Sequence, residues 1–204
     1  PSITHFRIGR EKVWMKNFEN EGSTLWNINS ENEMIQDSIF RRGQNALLHI
    51  RSPESPNNIV TNLEDRLPFD NQKQHSLHGY IKTENAKNVS IEARLSVGRT
   101  GESLITVSIG DSLSGSLNWK KYWNDIPYTE DAEFFDIRSN SDIPDSGLAY
   151  SWFDDVGFIE WDTLKLITEY PISINYPNDY DYIQFYHDQE QICLLYTSDA
   201  ADDF

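Results

Sequence analysis

Residues 88–97 read NVSIEARLSV, and the alternation in this segment constrains the fold more tightly than any other feature of the chain. Val89, Ile91, Ala93, Leu95 and Val97 share one parity, while Ser90, Glu92, Arg94 and Ser96 share the other. A period of two places apolar side chains on one face of an extended strand and polar ones on the opposite face. The same alternation recurs at Leu47–Ile50, Leu77–Ile81, Ile105–Ile109, Phe135–Ile137 and Val156–Ile159, each bounded by Gly, Pro, Asn, Asp or Ser. No window keeps a helical period over three turns. Short strands separated by turns, with no helices between them, predict an all-β fold, an antiparallel β-sandwich of the jelly-roll kind. Val89, Ile91, Leu95, Ile105, Val107, Val156 and Phe158 are the expected interior.

Charge narrows the function classes. Thirty-three acidic against 17 basic residues give a net charge of −16, which disfavours phosphate backbones and anionic membrane surfaces. No nucleic-acid partner is expected. No run approaches the ~18 apolar residues that membrane insertion by a helix requires. A single cysteine excludes a disulfide framework and any zinc site with two or more thiolates. With 6 Trp, 10 Tyr and 10 Phe, the chain has ample material for a packed core despite its polarity.

Composition also suggests divisions. Residues 1–11 read as a lead-in, 12–164 as the sandwich, and 165–192 as the start of a second β-domain, because Lys165 to Glu169 opens a new strand and Pro171 and Pro177 punctuate the stretch beyond it. From Cys193 the texture changes to CLLYTSDAADDF, and residues 193–204 resemble the translated read-through of a sequencing adapter found at the ends of environmental gene models. The opening at Pro1 reads as the interior of a longer protein, with further domains covalently attached.

Four segments occur in a telling order: NFENEGSTLWNI at 17–28, GQNALLHI at 43–50, HSLHGYIKTENAKNVSIEARL at 75–95 and SWFDDVGFIE at 151–160. Over residues 12–161 this succession resembles the carbohydrate-binding modules of the galactose-binding-like jelly-roll group, especially the xylan- and glucan-binding families appended to bacterial glycoside hydrolases. The resemblance implies a non-catalytic module that tethers a larger secreted or surface protein to polysaccharide, outside the cell or on its surface. It also implies a structural calcium near Glu19 and Asp154, with backbone carbonyls around Gly43 and Gln44 as further ligands.

The residues give their own reason to consider a cation. On a regular strand Asp154 shares the parity of Val156 and Phe158, which would carry its carboxylate inward. A buried carboxylate needs a partner, and Ca²⁺ supplies charge and accepts 6 to 8 oxygens. Alternatively, Asp154 and Asp155 cap a turn or pair with Arg or Lys.

Sugar binding would rest on aromatics, since the C–H face of a pyranose packs on Trp or Tyr rings while a few polar groups fix its orientation. The richest stretch is LNWKKYWNDIPY, with Trp119, Tyr122, Trp123 and Tyr128 beside Lys120, Asn124 and Asp125. Trp119 and Trp123 share a strand parity and Tyr122 takes the other, so one set of rings could be exposed and the other buried. These rings could equally be core. Tyr80 and Trp152 are further ligand candidates, whereas Trp26 is expected inside the sandwich. His75 and His78, three apart, fall on opposite faces of a strand and make a poor metal pair. No G-x-S-x-G, H-E-x-x-H or glycine-rich phosphate loop occurs, so an enzyme is not expected. The rival reading is a structural or adhesive spacer, the same sandwich without a sugar site.

Overall fold

The computed structural model describes residues 3–13, 18–19, 25–28, 31–55, 59–163, 165–167, 181–187 and 190–196. Within them lie the strands β1 (His5–Glu11), β2 (Trp26–Asn27), β3 (Glu33–Gln36), β4 (Ala46–Arg51), β5 (Ile59–Leu63), β6 (Leu67–Pro68), β7 (Gln74–Ser96), β8 (Ile105–Ile126), β9 (Phe134–Ser141), β10 (Ala149–Trp161), β11 (Lys165–Leu166), β12 (Tyr182–His187) and β13 (Glu190–Tyr196). Every pairing among them is antiparallel. No helix among the described residues is long and apolar enough to cross a membrane.

Two strands dominate the architecture. β7 and β8, 23 and 22 residues long, run as one bent ribbon that takes part in both layers of the sandwich. Their register shifts repeatedly between Ile81 and Ile91, and Asn85, Asn88 and Ser112 there adopt positive φ. Bulges and left-handed residues bend a ribbon that would otherwise stay flat, and Asn tolerates that conformation because its side chain bonds locally. Below the bend, β7 pairs with β10 through residues 74–84; above it, β7 pairs with β9 through residues 90–96. The front layer therefore holds β3, β4, β10, the first half of β7, the second half of β8, and β1 with β12. The back layer holds β2, β5, β6, β9 and the remaining halves of β7 and β8.

The layers close on an apolar core. Phe135 of β9 stacks on Phe158 of β10 at 4.0 Å between centroids. At Gly79 the backbone runs so near Ile91 that a Cβ would lie 2.6 Å from its Cδ1. Val89, Ile91, Ala93 and Leu95 are completely buried, as their alternation requires. Val97 is 51% exposed, because β7 ends at Ser96. Val107, Val156 and Phe158 are buried and Ile105 packs partly buried against the same cluster.

A polar network also bridges the layers. His49 of β4 contacts Ser141 Oγ through Nδ1 and Thr61 Oγ1 through Nε2, both at 2.9 Å, and the Thr61 hydroxyl donates to the Glu33 carboxylate. With that hydroxyl's proton committed, His49 carries its own on Nε2 and accepts from Ser141. Burial, reinforced by Arg51, pushes the His49 pKa down to about 3, so the ring is neutral.

Residues 1–11 and 165–192, which the sequence sets apart from the sandwich, supply strands to its front layer. β1 is hydrogen-bonded to β10 on one side and to β11 and β12 on the other. Composition could not reveal this, because the partners lie about 150 residues or more apart in the chain. Cys193, in β13, pairs with Phe185 of β12, and residues 197–204 lie outside the described part. So do Pro171 and Pro177.

Candidate functional site

The front layer turns one face to the core and the other outward. Outward residues follow from register: Tyr80 opposes Lys121 on β8 and Asp154 on β10, while Lys82 opposes Trp152. Their neighbours Ile81 and Phe153 belong to the core. The outward face therefore gathers Tyr80, Lys82 and Glu84 from β7, Trp119, Lys121 and Trp123 from β8, and Tyr150, Trp152 and Asp154 from β10.

β10 holds a bulge that divides this face. Register slips between Asp154 and Gly157, and Asp155 has φ 47°. The edge partner of β10 changes at the same place, from β4 (residues 149–153) to β1 (residues 159–161). The bulge also corrects the parity expected for Asp154: Phe153, Val156 and Phe158 enter the core, and Asp154 points the other way. It is still fully buried, because the loop leading into β4 lies over it.

That loop collects the expected metal ligands. Asp154 Oδ2 accepts hydrogen bonds from the main-chain N–H of Arg41 (2.8 Å) and Arg42 (2.9 Å), and Oδ1 accepts from Asp155 N–H at 2.7 Å. Glu19 Oε1 accepts from the N–H of Gln44 (2.8 Å) and Asn45 (2.9 Å). Gly43, with φ 65°, leaves room for the Glu19 carboxylate, which a Cβ there would strike. Arg42 Nε lies 3.6 Å from Asp155 Oδ2. Burial pushes the Asp154 pKa up to about 7, the Arg42 N–H bond opposing it and Asp155 adding to it. Glu19, Gln44 and Asp154 thus meet at one loop, but the donor set does not suit a cation as arranged. Three of the four carboxylate oxygens face N–H hydrogens, and Gln44 contributes its N–H. Among the described residues no cluster of three or more His, Cys, Asp or Glu could hold a metal.

On the β1 side of the bulge the face is closed. Trp161, Tyr182 and His78 are each at most 1% exposed. Tyr182 donates to Glu11 Oε2 at 2.6 Å, His78 Nε2 lies 3.1 Å from the same oxygen, and Glu11 Oε1 accepts from the N–H of Val13 and Phe158. A side chain at Gly157 would collide with Glu11 and His78. The Trp161 indole donates to Ser76 Oγ at 2.7 Å, Ser76 donates to Asp125, and Arg7 spans Asp125, Gln184 and Gln74 while lying 4.3 Å from the Trp161 ring centroid. Burial, then the Glu11 carboxylate, push the Tyr182 phenol well up. His75 lies on the core side against Phe69 and Phe158.

On the β4 side the face is open. Tyr80, Lys82, Trp119, Lys121 and Tyr150 are all half-buried. Trp123 is half-buried too and joins the two halves, packing against the Ile159–Trp161–Tyr182 cluster. Trp152 is only 4% exposed, so it serves as a base: the Tyr150 ring stacks on it at 5.7 Å and 17°. Cations lie by the rings, Lys82 Nζ 5.6 Å from Trp152, Lys121 Nζ 5.7 Å from Trp123 and the Arg41 guanidinium 5.0 Å from Tyr80.

Of the sequence-derived ligand residues, the structure brings together Tyr80, Trp119 and Trp123, with Trp152 beneath. Tyr122 packs against the core and Asn124 donates to Ser108 O across the bend, so neither shares that surface. Trp26 is in the core against Phe18. Tyr128, 71% exposed, rims a cavity of about 340 Å³ at the far end of the sheet. Tyr150, Lys82, Lys121 and Arg41 were missed. Tyr150 lies two residues before Trp152 and Lys121 midway between Trp119 and Trp123, so the period of two would have found both.

No protein-family model matches the chain, and no curated protein matches its sequence. Solved structures match it in fold. The arabinose-bound MgGH51 α-L-arabinofuranosidase superposes with a TM-score of 0.55 at 14% identity, over 75% of this chain and 27% of that one. The enzymatically active domain of tailspike protein 4 from bacteriophage CBA120 gives 0.48 at 15% identity, over 77% and 21%. The CBM22-1 xylan-binding domain of Paenibacillus barcinonensis Xyn10C gives 0.47 at 12% identity, over 79% and 94%. This chain spans about a quarter of the first two proteins. Several matched structures are carbohydrate-binding modules. At these identities the likeness concerns the jelly-roll sandwich itself, a scaffold that hosts many functions.

Proposed function

We propose that the chain is a non-catalytic carbohydrate-binding module, that its ligand lies on the open half of the outward face, and that it tethers a larger secreted or surface protein to polysaccharide. One observation carries this reading: Tyr80, Trp119, Trp123 and Tyr150 share one face of one sheet and all are half-buried, with Trp152 supporting Tyr150 from below. A spacer has no use for a row of partly exposed rings, whose hydration is unfavourable unless a ligand covers them. Pyranose rings present flat C–H faces of matching size, and a sheet holds the platforms rigidly enough to limit the ordering cost of binding.

The test is affinity electrophoresis of the whole chain through xylan, β-glucan, mannan and alginate. Retardation by at least one of them is expected. Equal mobility in every gel, with the chain folded, would leave the spacer reading.

A further inference from the structure

We infer that the cavity at the far end of the sheet is a second saccharide site, one that takes the terminal one or two units of a neutral glycan. Its residues are independent of the open half of the outward face, and only the ligand's class rests on the carbohydrate reading above.

The cavity, about 340 Å³, lies where the chain enters β7 and leaves β8, and Phe69, Asn71, Gln72, Gln74, Pro127 and Tyr128 line it. It adjoins the closed half and not the open one, since Gln74 is the register partner of Trp161 and His75 that of Ile126. From Gln74 to Tyr80 the extended chain covers roughly 20 Å, and the buried His78 lies between them. One or two sugar units in the cavity therefore stay clear of the rings of the open half.

The lining has a fixed aromatic and a free one. Phe69 is half-buried, its ring centroid 4.3 Å from that of His75 and 6.2 Å from that of Phe158, so packing against the core sets its place. Tyr128 has no such support. It is 71% exposed, and among the described residues neither its ring nor its hydroxyl has a partner. A ring held out beside a hollow is a platform that the C–H face of a pyranose covers. Pro127, just before it, has a locked φ that limits the backbone freedom lost on binding.

Hydrogen-bonding type and charge name the ligand. Gln74 Oε1 accepts from Arg7 Nη1 (2.7 Å), which leaves its amide N–H groups uncommitted; Gln72 Nε2 donates to Asn71 Oδ1 (2.8 Å), which leaves its Oε1 uncommitted. The Asn71 amide is fixed in turn on Glu130 O. With the Tyr128 hydroxyl, the cavity offers donors and acceptors together, as a sugar hydroxyl requires because it does both. No acidic side chain lines the cavity, so a cation finds no countercharge. Lys73, the one cation in the lining, is paired with Glu160 Oε1 at 2.7 Å, and the net charge of −16 opposes an anion further. A neutral polyol fits. The volume sits at the lower end of the ~300–1,000 Å³ of small-ligand sites, which suits the end of a glycan and not its length.

The experiment follows the side-chain amide signals of Gln72 and Gln74 by two-dimensional NMR in the whole chain, wild type and Trp119→Ala. The probes are cellobiose, xylobiose, mannobiose, β-1,4-galactobiose, digalacturonate and triglycine. Expected is a saturable shift with at least one neutral disaccharide, equal in both proteins, and none with digalacturonate. Tyr128→Ala, at an exposed position, should weaken that binding about tenfold, and Tyr128→Phe should retain most of it. Signals that no neutral disaccharide moves overturn the inference, whatever the polysaccharide gels show. So does a shift that Trp119→Ala removes, since the sugar then belongs to the outward face, or one that Tyr128→Ala leaves unweakened. An equal or larger shift with digalacturonate refutes a neutral ligand, and a saturable shift with triglycine alone assigns the cavity to peptide. The reading of the open half stands or falls separately, by retardation in the gels and its loss in Trp119→Ala.

Discussion

The two halves of the outward face are built from the same residue types and do opposite things. On the β1 side Trp161, Tyr182 and His78 are buried, and the Trp161 indole, the Tyr182 hydroxyl and His78 Nε2 are bonded to Ser76, Glu11 and one another. On the β4 side Trp119, Tyr150 and Tyr80 are half-open and cations lie beside the rings. The bulge at Asp154–Gly157 separates them, and the strand beyond it differs: β1 with β12 on one side, the short β4–β3 pair on the other. An aromatic side chain on a sheet is therefore buried or left accessible according to what the neighbouring strand brings against it, not according to its own type.

The sharpest way to break this comparison is at the closed end. Trp161→Ala empties a site with 1% exposure and strands the Ser76 and Arg7 contacts; a loss of about 3–5 kcal/mol is expected, seen as a drop of roughly 10 °C in melting temperature. A drop of only a degree or two would show that this half is not core.

Acid should act on the closed end next. Burial pushes the His75 pKa down to about 4, Glu160 opposing it in part. The unfolded chain takes up that proton near pH 6.5, so the contribution of neutral His75 is intact above pH 6.5 and is lost as pH falls toward 4. His49 acts in the same sense, to about 3, and Asp154, raised to about 7, in the opposite one. Glu160, which burial pushes up but Lys73 and Lys12 hold down at about 2, adds a loss between about pH 4.5 and 2. Denaturant unfolding of wild type should weaken between pH 7 and 4 by about 2–3 kcal/mol more than that of His75→Phe. Parallel curves would contradict this assignment.

Gly157→Ala probes the bulge that divides the halves. Its new methyl meets Glu11 and His78, so a cost of about 1–3 kcal/mol is expected in chemical denaturation. At the smallest end, excess EDTA should leave the melting curve in place, because the Asp154 and Glu19 carboxylates already face main-chain N–H groups. A Ca²⁺-dependent rise that Asp154→Ala abolishes would show that the loop at 41–45 rearranges around a cation.

The sequence made the layers legible and the face only partly so. Alternation in β7 marked its core residues because one side of that segment is wet. In β10 it could mislead, since residues 151–161 are buried on both sides, and the slip at Asp155 leaves no trace in a pattern of two. Trp119 and Trp123 were found by parity. Lys82 and Arg41 were not, because their roles depend on Trp152 and Tyr80 across strand pairings and a loop that composition does not encode. The joining of β1 to β12 was hidden for the same reason.

The central claim, that the open half binds sugar while the closed half holds the fold, is tested most directly by Trp119→Ala. Melting temperature and affinity for the best-retarding polysaccharide should be measured on the same preparation. The account predicts a melting temperature within about 2 °C of wild type and an affinity at least tenfold weaker, as expected when a half-buried ring that anchors the ligand is removed. A normal melting curve with unchanged affinity, or a collapse of stability like that of Trp161→Ala, would contradict it.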